Sequence, residues 1–379
     1  MIDYVVVRNS DREPVAIIDD ASSIIWQSSY YGVGEFEIYT RVTDNNIKNL
    51  VVGNYVTRPD SYECGIIEKI EITNSTSEGL MIAASGRFLK SILDRRIVYT
   101  PTKSGTGMNY IWHSSSTKLS GKVEIAVRNL IKENATESSV AARNIPELSM
   151  TDDDITGLTE TIVTGDSDNE TDAEKQVTYK GLLEYTDSVL QEYQLGSYMY
   201  LDEETLKFRY KVFRGVDHSI DNTLGNDPVI FSQDYDNLIS SDYIYDEAAY
   251  KNMAVIGGQG EGIERNLALV GDWNTGLNRR EMFVDGNSMA QDEGVTVEVY
   301  RKQLETQGRQ SLAEVERTET FDGDIDTENT NFKYGTDYSL GDLVTIYDKS
   351  LGKYIVTRIL TVSECQDENG FKREIKYGN

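Results

Sequence analysis

Val52-Gly53-Asn54-Tyr55-Val56-Thr57 returns far down the chain as Leu340-Gly341-Asp342-Leu343-Val344-Thr345. The residues after each run are shared as well: Ile66-Ile67-Glu68-Lys69-Ile70 parallels Ile355-Val356-Thr357-Arg358-Ile359, and the turn Glu78-Gly79-Leu80 parallels Asn369-Gly370-Phe371. The order of elements agrees at each step. Self-similarity of this kind exposes architecture that local propensity does not. It predicts a mainly β chain with α+β insertions, built on two related β-barrel-like modules.

Outward from these repeats the chain alternates between strand and helix grammar. Ile2 to Val7 and Val15 to Ile18 flank the turn Asp11-Arg12-Glu13-Pro14, and Phe36, Ile38 and Thr40 alternate with Glu35, Glu37 and Tyr39. Strands continue at Tyr55 to Thr57 and Gly65 to Thr73, and the turn Ser77-Glu78-Gly79 leads into Leu80 to Ser85. Val123, Ala126, Val127, Leu130 and Ile131 share one helical face, which predicts a helix over 120–134. Leu182, Thr186, Val189, Leu190 and Tyr193 repeat that spacing, with Gly196 at the place of a helix C-terminal glycine. A hairpin comes next, Tyr198 to Leu201 and Leu206 to Phe213. Val297, Tyr300, Leu304, Ser311, Leu312 and Val315 mark a third helix over 295–317, which Gly308 weakens by about 1 kcal/mol relative to Ala. Strands close the chain at Leu343 to Tyr347, Tyr354 to Val362 and Phe371 to Tyr377.

These elements divide the chain into a first β-module (1–99), a variable insertion with a helix and an acidic loop (100–176), and a helix-plus-hairpin segment (177–230). A connecting β segment (231–290), a helix with an acidic linker (291–330) and strands completing the second module (331–379) make up the rest. The acidic loop is the run Asp166-Ser167-Asp168-Asn169-Glu170-Thr171-Asp172.

Composition narrows the function. The 379 residues carry 64 acidic and 37 basic side chains, a formal net charge of −27. Phosphate contacts need clustered Lys and Arg, so a tight grip on nucleic acid or on an anionic membrane is disfavoured. Cys64 and Cys365 are the only cysteines, which leaves at most one bridge and no zinc site of Cys ligands. The N-terminal residues read as a strand rather than a signal peptide, and no stretch reaches the ~18 apolar residues of a membrane span. A soluble chain made in a reducing cytoplasm is expected.

Each catalytic constellation fails on spacing or setting. His113 and His218 are the only histidines and nothing matches HExxH. Cys64 sits at a strand start, without a helix N-terminus to activate a thiol. Asp152-Asp153-Asp154 and the set Asp322, Asp324 and Asp326 would supply a glycosidase with acids, but they lie in polar segments and read as solvated faces. As calcium loops, the run from Asp322 has Thr327 at position six and Lys333 at twelve, and the run from Asp166 has Thr171 and Val177 there. Gly257-Gly258-Gln259-Gly260-Glu261-Gly262 is neither GxGxxG nor a Walker motif and reads as a glycine-rich β-connection. No catalytic residue, cofactor or metal site is expected. The 24 tyrosines suit packing and interfaces.

Phe231-Ser232-Gln233-Asp234-Tyr235-Asp236-Asn237-Leu238, then Asn252 with the glycine-rich run and Arg265, then Arg279-Arg280-Glu281-Met282-Phe283-Val284-Asp285, and last Ser339-Leu340-Gly341-Asp342 stand in one order. This order resembles the hub or tail-associated proteins of siphovirus-type tails. Trp26, Gly34-Glu35-Phe36 and Gly65-Ile66-Ile67 also fit, whereas residues 100–118 and 150–176 depart from the pattern. On the resemblance, the family-motif residues are Asn252, Gly257, Gly258, Gly260, Gly262, Arg265, Arg280, Phe283, Asp285, Gly341 and Asp342, in structural roles.

The resemblance implies a fold similar to the hub of contractile tails, in which two barrels per subunit let a homotrimer present a quasi-sixfold ring to a hexameric tube. It implies a virion protein of the tail tip or baseplate, made in the bacterial host's cytoplasm. Its partners would be the distal tail protein ring and tape measure protein on one side and tip or receptor-binding proteins on the other. DNA would pass the lumen without specific binding, and the protein would not itself enter a membrane. Appended peptidase or lysozyme-like domains are common in such proteins, and none is expected here. The competing expectations are a tail-tip protein that binds host glycans and a cell-wall hydrolase.

Overall fold

Alternation of buried and exposed side chains builds the strands, as where Phe36, Ile38 and Thr40 point inward and Glu35, Glu37 and Arg41 outward. The computed structural model describes residues 2–77, 79–104, 111–115, 117–162, 175–238, 240–286, 296–324, 331–349 and 352–378. Glu78, the run Asp166 to Asp172 and Asp326 therefore lie outside the described residues. In chain order the first strands are β1 (Val5–Arg8), β2 (Pro14–Ile18), β3 (Ser23–Ser29), β4 (Glu35–Arg41), β5 (Tyr55–Thr57), β6 (Cys64–Ser75) and β7 (Gly79–Phe88), with the short helix α1 (Asp44–Asn49) after β4. Next come β8 (Thr100–Ser104), β9 (Ile111–Ser115), β10 (Thr117–Leu119), α2 (Val123–Ile131), β11 (Leu148–Ser149), β12 (Lys175–Val177), α3 (Leu182–Glu192), β13 (Gly196–Asp202), β14 (Lys207–Phe213) and β15 (Ile230–Ser232). The last elements are β16 (Ser240–Asp246), β17 (Met253–Gly257), β18 (Leu267–Gly271), β19 (Glu281–Asp285), α4 (Val297–Ala313), β20 (Thr318–Asp324), β21 (Leu343–Asp348), β22 (Lys353–Asp367) and β23 (Gly370–Gly378).

Among the described residues two units emerge, one drawn from 2–162, 175–242 and 321–378, the other from 243–320. In the first, strands run in the order β23-β22-β3-β4-β7-β6-β5-β1-β2, with β21 between β22 and β15. Both repeats therefore share one open sheet. Among the described residues no set of strands closes into a barrel, which corrects the barrel-like expectation. The pairing of β22 with β3 joins segments more than three hundred residues apart, from Thr361 opposite Ser29 to Gln366 opposite Ile24. Such long-range pairing leaves no local signal in the sequence.

Trp26, Phe36, Ile38, Val56, Ile67 and Phe88 fill the core of this sheet. A second apolar cluster gathers α2 and α3 onto the small sheet β11-β14-β13, through Val127, Leu130, Ile131, Val189, Leu190, Met199 and Tyr210. The predicted face of α2 is buried, and the helix ends in a single π-helical turn, Lys132–Thr136. Gly196 departs from the expected role. The left-handed residue after α3 is Gln194 (φ 55°), whereas Gly196 opens β13, where a Cβ would lie 2.4 Å from the Tyr30 ring.

The second unit is a three-stranded sheet, β18-β17-β19, with β18 antiparallel and β19 parallel to β17. Helix α4 covers it through Tyr300 and Leu304, which pack with Ile256, Ala268, Val270 and Val284. Val297, placed on the buried face by its spacing, is 51% exposed. Gly308 continues the buried line, because a Cβ there would lie 2.4 Å from Ile256 Cδ1 and 2.7 Å from Val270 Cγ2. The glycine sets how closely the helix approaches. No helix among the described residues is long and apolar enough to cross a membrane.

Candidate assembly site

The two repeats share their hydrogen bonds as well as their sequence. In the first, Asn54 N–H donates to Val51 O at 3.1 Å, Gly53 N–H to Ile67 O at 2.9 Å, and Ile67 N–H to Asn54 O at 2.9 Å. In the second, Asp342 N–H donates to Ser339 O at 3.1 Å, Gly341 N–H to Ile359 O at 2.9 Å, and Ile359 N–H to Asp342 O at 2.9 Å. Gly53 (φ 93°) and Gly341 (φ 91°) hold the same left-handed third position of a β-turn, a conformation that a Cβ disfavours. Strand register agrees too: Tyr55 faces Ile66 as Leu343 faces Arg358, and Thr57 faces Cys64 as Thr345 faces Val356. Each hairpin then carries a bulge one residue beyond the shared isoleucine, at Glu68 and at Leu360. Ile67 thus corresponds to Ile359, so the sequence pairing of Ile66–Ile70 with Ile355–Ile359 is shifted from the structural one.

The second turn is packed into the sheet. Tyr30 N–H donates to the bulge carbonyl of Leu360 at 2.8 Å, its hydroxyl donates to Gln194 O at 3.0 Å, and the Arg358 guanidinium lies 5.4 Å from its ring centre. Arg358 donates in turn to Gly341 O at 2.6 Å. Asp342 accepts from Val216 N–H at 2.6 Å and Ser339 N–H at 2.7 Å. Burial raises its carboxyl pKa, and those two backbone donors oppose the rise. Gly341 and Asp342 therefore shape a turn and bind backbone.

A buried charged seam fastens the junction of β22 with the first strands. Arg58 meets Glu364 at 2.5 Å and Asp60 at 2.7 Å, and Arg373 reaches the other oxygen of Glu364 at 2.6 Å. Alongside, Glu63 accepts from the Ser28 hydroxyl at 2.5 Å. Burial pushes its carboxyl up to about 7, against the opposing pull of Ser28, Arg58 and Lys90. Lys90, itself buried, donates to Asp187 at 3.0 Å and to Tyr31 O at 3.2 Å. Charges withdrawn from water in this way keep their value only when register is held, so the seam favours one alignment of the sheet. Nothing in the sequence marked Glu63 or Lys90.

In the second unit the motif residues converge on the ends of β17. Arg265 donates to Gly258 O and Gly257 O at 2.9 Å each and to Asp285 at 2.6 Å, and its guanidinium lies 5.4 Å from the Phe283 ring centre. A Cβ at Gly257 would lie 2.6 Å from that guanidinium, and one at Gly258 2.6 Å from the Tyr300 hydroxyl, which accepts from Gln259 N–H at 2.7 Å. Gly260 (φ 109°) and Gly262 (φ 57°) turn the loop. At the other end Asn252 donates to Asn278 O at 2.7 Å and accepts from Arg280 N–H at 2.9 Å, while Arg280 pairs with Glu247 at 2.9 Å. The loop's space is taken by Arg265 and Tyr300.

Asp154 is not the solvated acid its neighbours suggested. It is buried, accepting from Tyr200 at 2.8 Å and pairing with Arg209 at 2.7 Å. Cys64 and Cys365 are free thiols, and burial pushes Cys64 up to about 12. His218 lies 3.9 Å from Asp342. Among the described residues no group of three or more His, Cys, Asp or Glu side chains could hold a metal ion.

Against this geometry, residues 4–379 match the family model described as Siphovirus ReqiPepy6 Gp37-like protein. The chain belongs to that family. No curated protein sequence matches this Gp37-like chain. Its fold is similar to that of solved tail proteins. The 43 kDa tail protein of prophage MuSo2 from Shewanella oneidensis superposes over 99% of this chain and 98% of its own, at 12% identity and a TM-score of 0.57. The tail protein from Neisseria meningitidis MC58 matches at 12% identity and a TM-score of 0.55, covering 99% of this chain and 96% of that one. Prophage tail protein gp18 from Listeria monocytogenes EGD-e matches at 11% identity and a TM-score of 0.52, covering 99% and 94%.

Proposed function

We propose that this Gp37-like chain is a structural hub subunit of a phage or phage-derived tail tip, acting by assembly without a catalytic step or cofactor. Three copies form a ring that closes or extends the tail tube. The observation that carries this reading is the duplicated turn and bulged hairpin, since a trimer of such chains offers six similar units to a hexameric tube. Each duplicated turn and hairpin serves as one of the six repeated elements of the ring. In the virion the ring joins the distal tail protein and tape measure protein to the tip or receptor-binding proteins. Its subunits are made in the host cytoplasm.

DNA leaves through the lumen. A net charge of −27 supports a passage that repels a polyanion rather than holding it. Native mass spectrometry of the purified chain at micromolar concentration tests the stoichiometry. A trimer is expected, and a chain that stays monomeric across the accessible range overturns the reading.

A further inference from the structure

A cleft of about 400 Å³ opens in the first unit, where the large sheet meets the small one. One wall comes from β1 and from the segment that follows β5, the other from β13 and the turn after it. An antiparallel bridge between Glu63 and Tyr200, both in the lining, joins the two walls. The volume falls within the ~300–1,000 Å³ that small ligands fill.

The charges in the walls are already matched. Arg8 donates to Glu203 at 2.6 Å, to the Thr57 hydroxyl at 3.1 Å and to Arg12 O at 3.1 Å, so each of its nitrogens is engaged. Arg58 is held by Asp60 and Glu364. A phosphate or carboxylate ligand would therefore find no cation without a carboxylate of its own, and would have to compete for one. The groups left for a ligand are an aromatic surface, hydroxyls and one carboxylate oxygen. Tyr62 is 45% exposed, and its ring is set against Tyr198 with 4.2 Å between centres, so its orientation is fixed before a ligand arrives. The Thr57 hydroxyl accepts from Arg8, and the Ser61 hydroxyl accepts from Glu63 N–H at 3.1 Å. Among the described residues neither hydroxyl proton has an acceptor, and Glu203 uses only its Oε1.

A pre-set aromatic surface flanked by two hydroxyl donors and a carboxylate acceptor, with no charge left over, is the complement of a sugar. A pyranose brings an apolar C–H face to stack on a ring, and its hydroxyls both donate and accept around the rim. We propose that this cleft binds one or two neutral sugar rings of a glycan, with Tyr62 as the stacking surface and Thr57, Ser61 and Glu203 as hydrogen-bonding partners. One chain supplies the whole cleft, so the inference stands independently of the ring reading.

Saturation-transfer NMR of the full chain with glucose, galactose, rhamnose, N-acetylglucosamine and disaccharides of each tests the assignment. At least one sugar is expected to bind with a Kd of roughly 0.1–1 mM, and inorganic phosphate at the same concentration is expected not to displace it. Tyr62→Ala should weaken that binding by about tenfold or more, whereas Tyr62→Phe, which keeps the ring, should stay within about twofold. Thr57→Val, nearly identical in shape, should weaken it by about threefold or more, and carries the test if Tyr62→Ala does not fold. The proposal is overturned if no sugar of the panel binds, or if the bound sugar is held as tightly by Tyr62→Ala and Thr57→Val as by the wild type. Binding of phosphate that these substitutions weaken would assign the cleft to anions and overturn it as well.

Discussion

The ring of Tyr30 occupies the space that a side chain at Gly341 would need, its Cε2 lying 2.3 Å from where the Cβ would sit. Gly53 has the same backbone conformation with open space around it. The pair separates backbone strain from packing. Gly53→Ala is expected to cost about 1–2 kcal/mol from the positive φ alone. Gly341→Ala adds a clash with a buried ring, for a total of roughly 3 kcal/mol or more. Urea denaturation of both variants checks the difference, and equal losses would deny that the two turns differ in packing.

Gly308 gives a test in which propensity and packing have opposite signs. In an exposed helix Ala would stabilise by about 1 kcal/mol over Gly. Here the added methyl meets Ile256 and Val270, so Gly308→Ala is expected to destabilise the second unit by about 1–3 kcal/mol. Hydrogen exchange in β17 and β18 reads the sign directly.

Arg265 ties the glycine-rich loop to β19 through Gly257, Gly258 and Asp285. Arg265→Lys keeps the charge and loses the fork, so the second unit should lose about 1–2 kcal/mol. Limited proteolysis within 258–266 should quicken, and an unchanged cleavage rate would count against the tie.

Glu63 makes stability depend on pH. Its folded pKa of about 7 lies above the unfolded value of 4.5, so the folded state holds the proton more tightly. The stability this contributes is complete below pH 4.5 and is lost as pH rises through 7. Glu63→Gln keeps a neutral hydrogen-bonding group. It should match the wild type near pH 4.5 and exceed it at about pH 8 by on the order of 2–3 kcal/mol. Melting curves at the two pH values decide, and an equal offset at both would remove Glu63 as the cause.

The repeated turns were legible because Gly53-Asn54 and Gly341-Asp342 impose one local conformation, and local conformation is what a short motif encodes. The amphipathic faces of α2 and α3 were legible for the same reason. Three things were not. The union of both repeats in one open sheet depends on β22 meeting β3, a pairing that neither strand announces. Gly196 and Gly308 look like helix punctuation, but a close approach by Tyr30 in one case and by Ile256 in the other explains them. Asp154 lies in an acidic run whose other members face solvent, and only the fold brings Arg209 and Tyr200 to it.

The central claim is that two similar units in one chain serve a ring of several chains, and electron cryomicroscopy of assembled tails tests it most directly. The account predicts three copies at the tip, with six turn-and-hairpin units spaced around an open lumen that continues the tube. A single copy, or copies attached outside the tube wall, would contradict it.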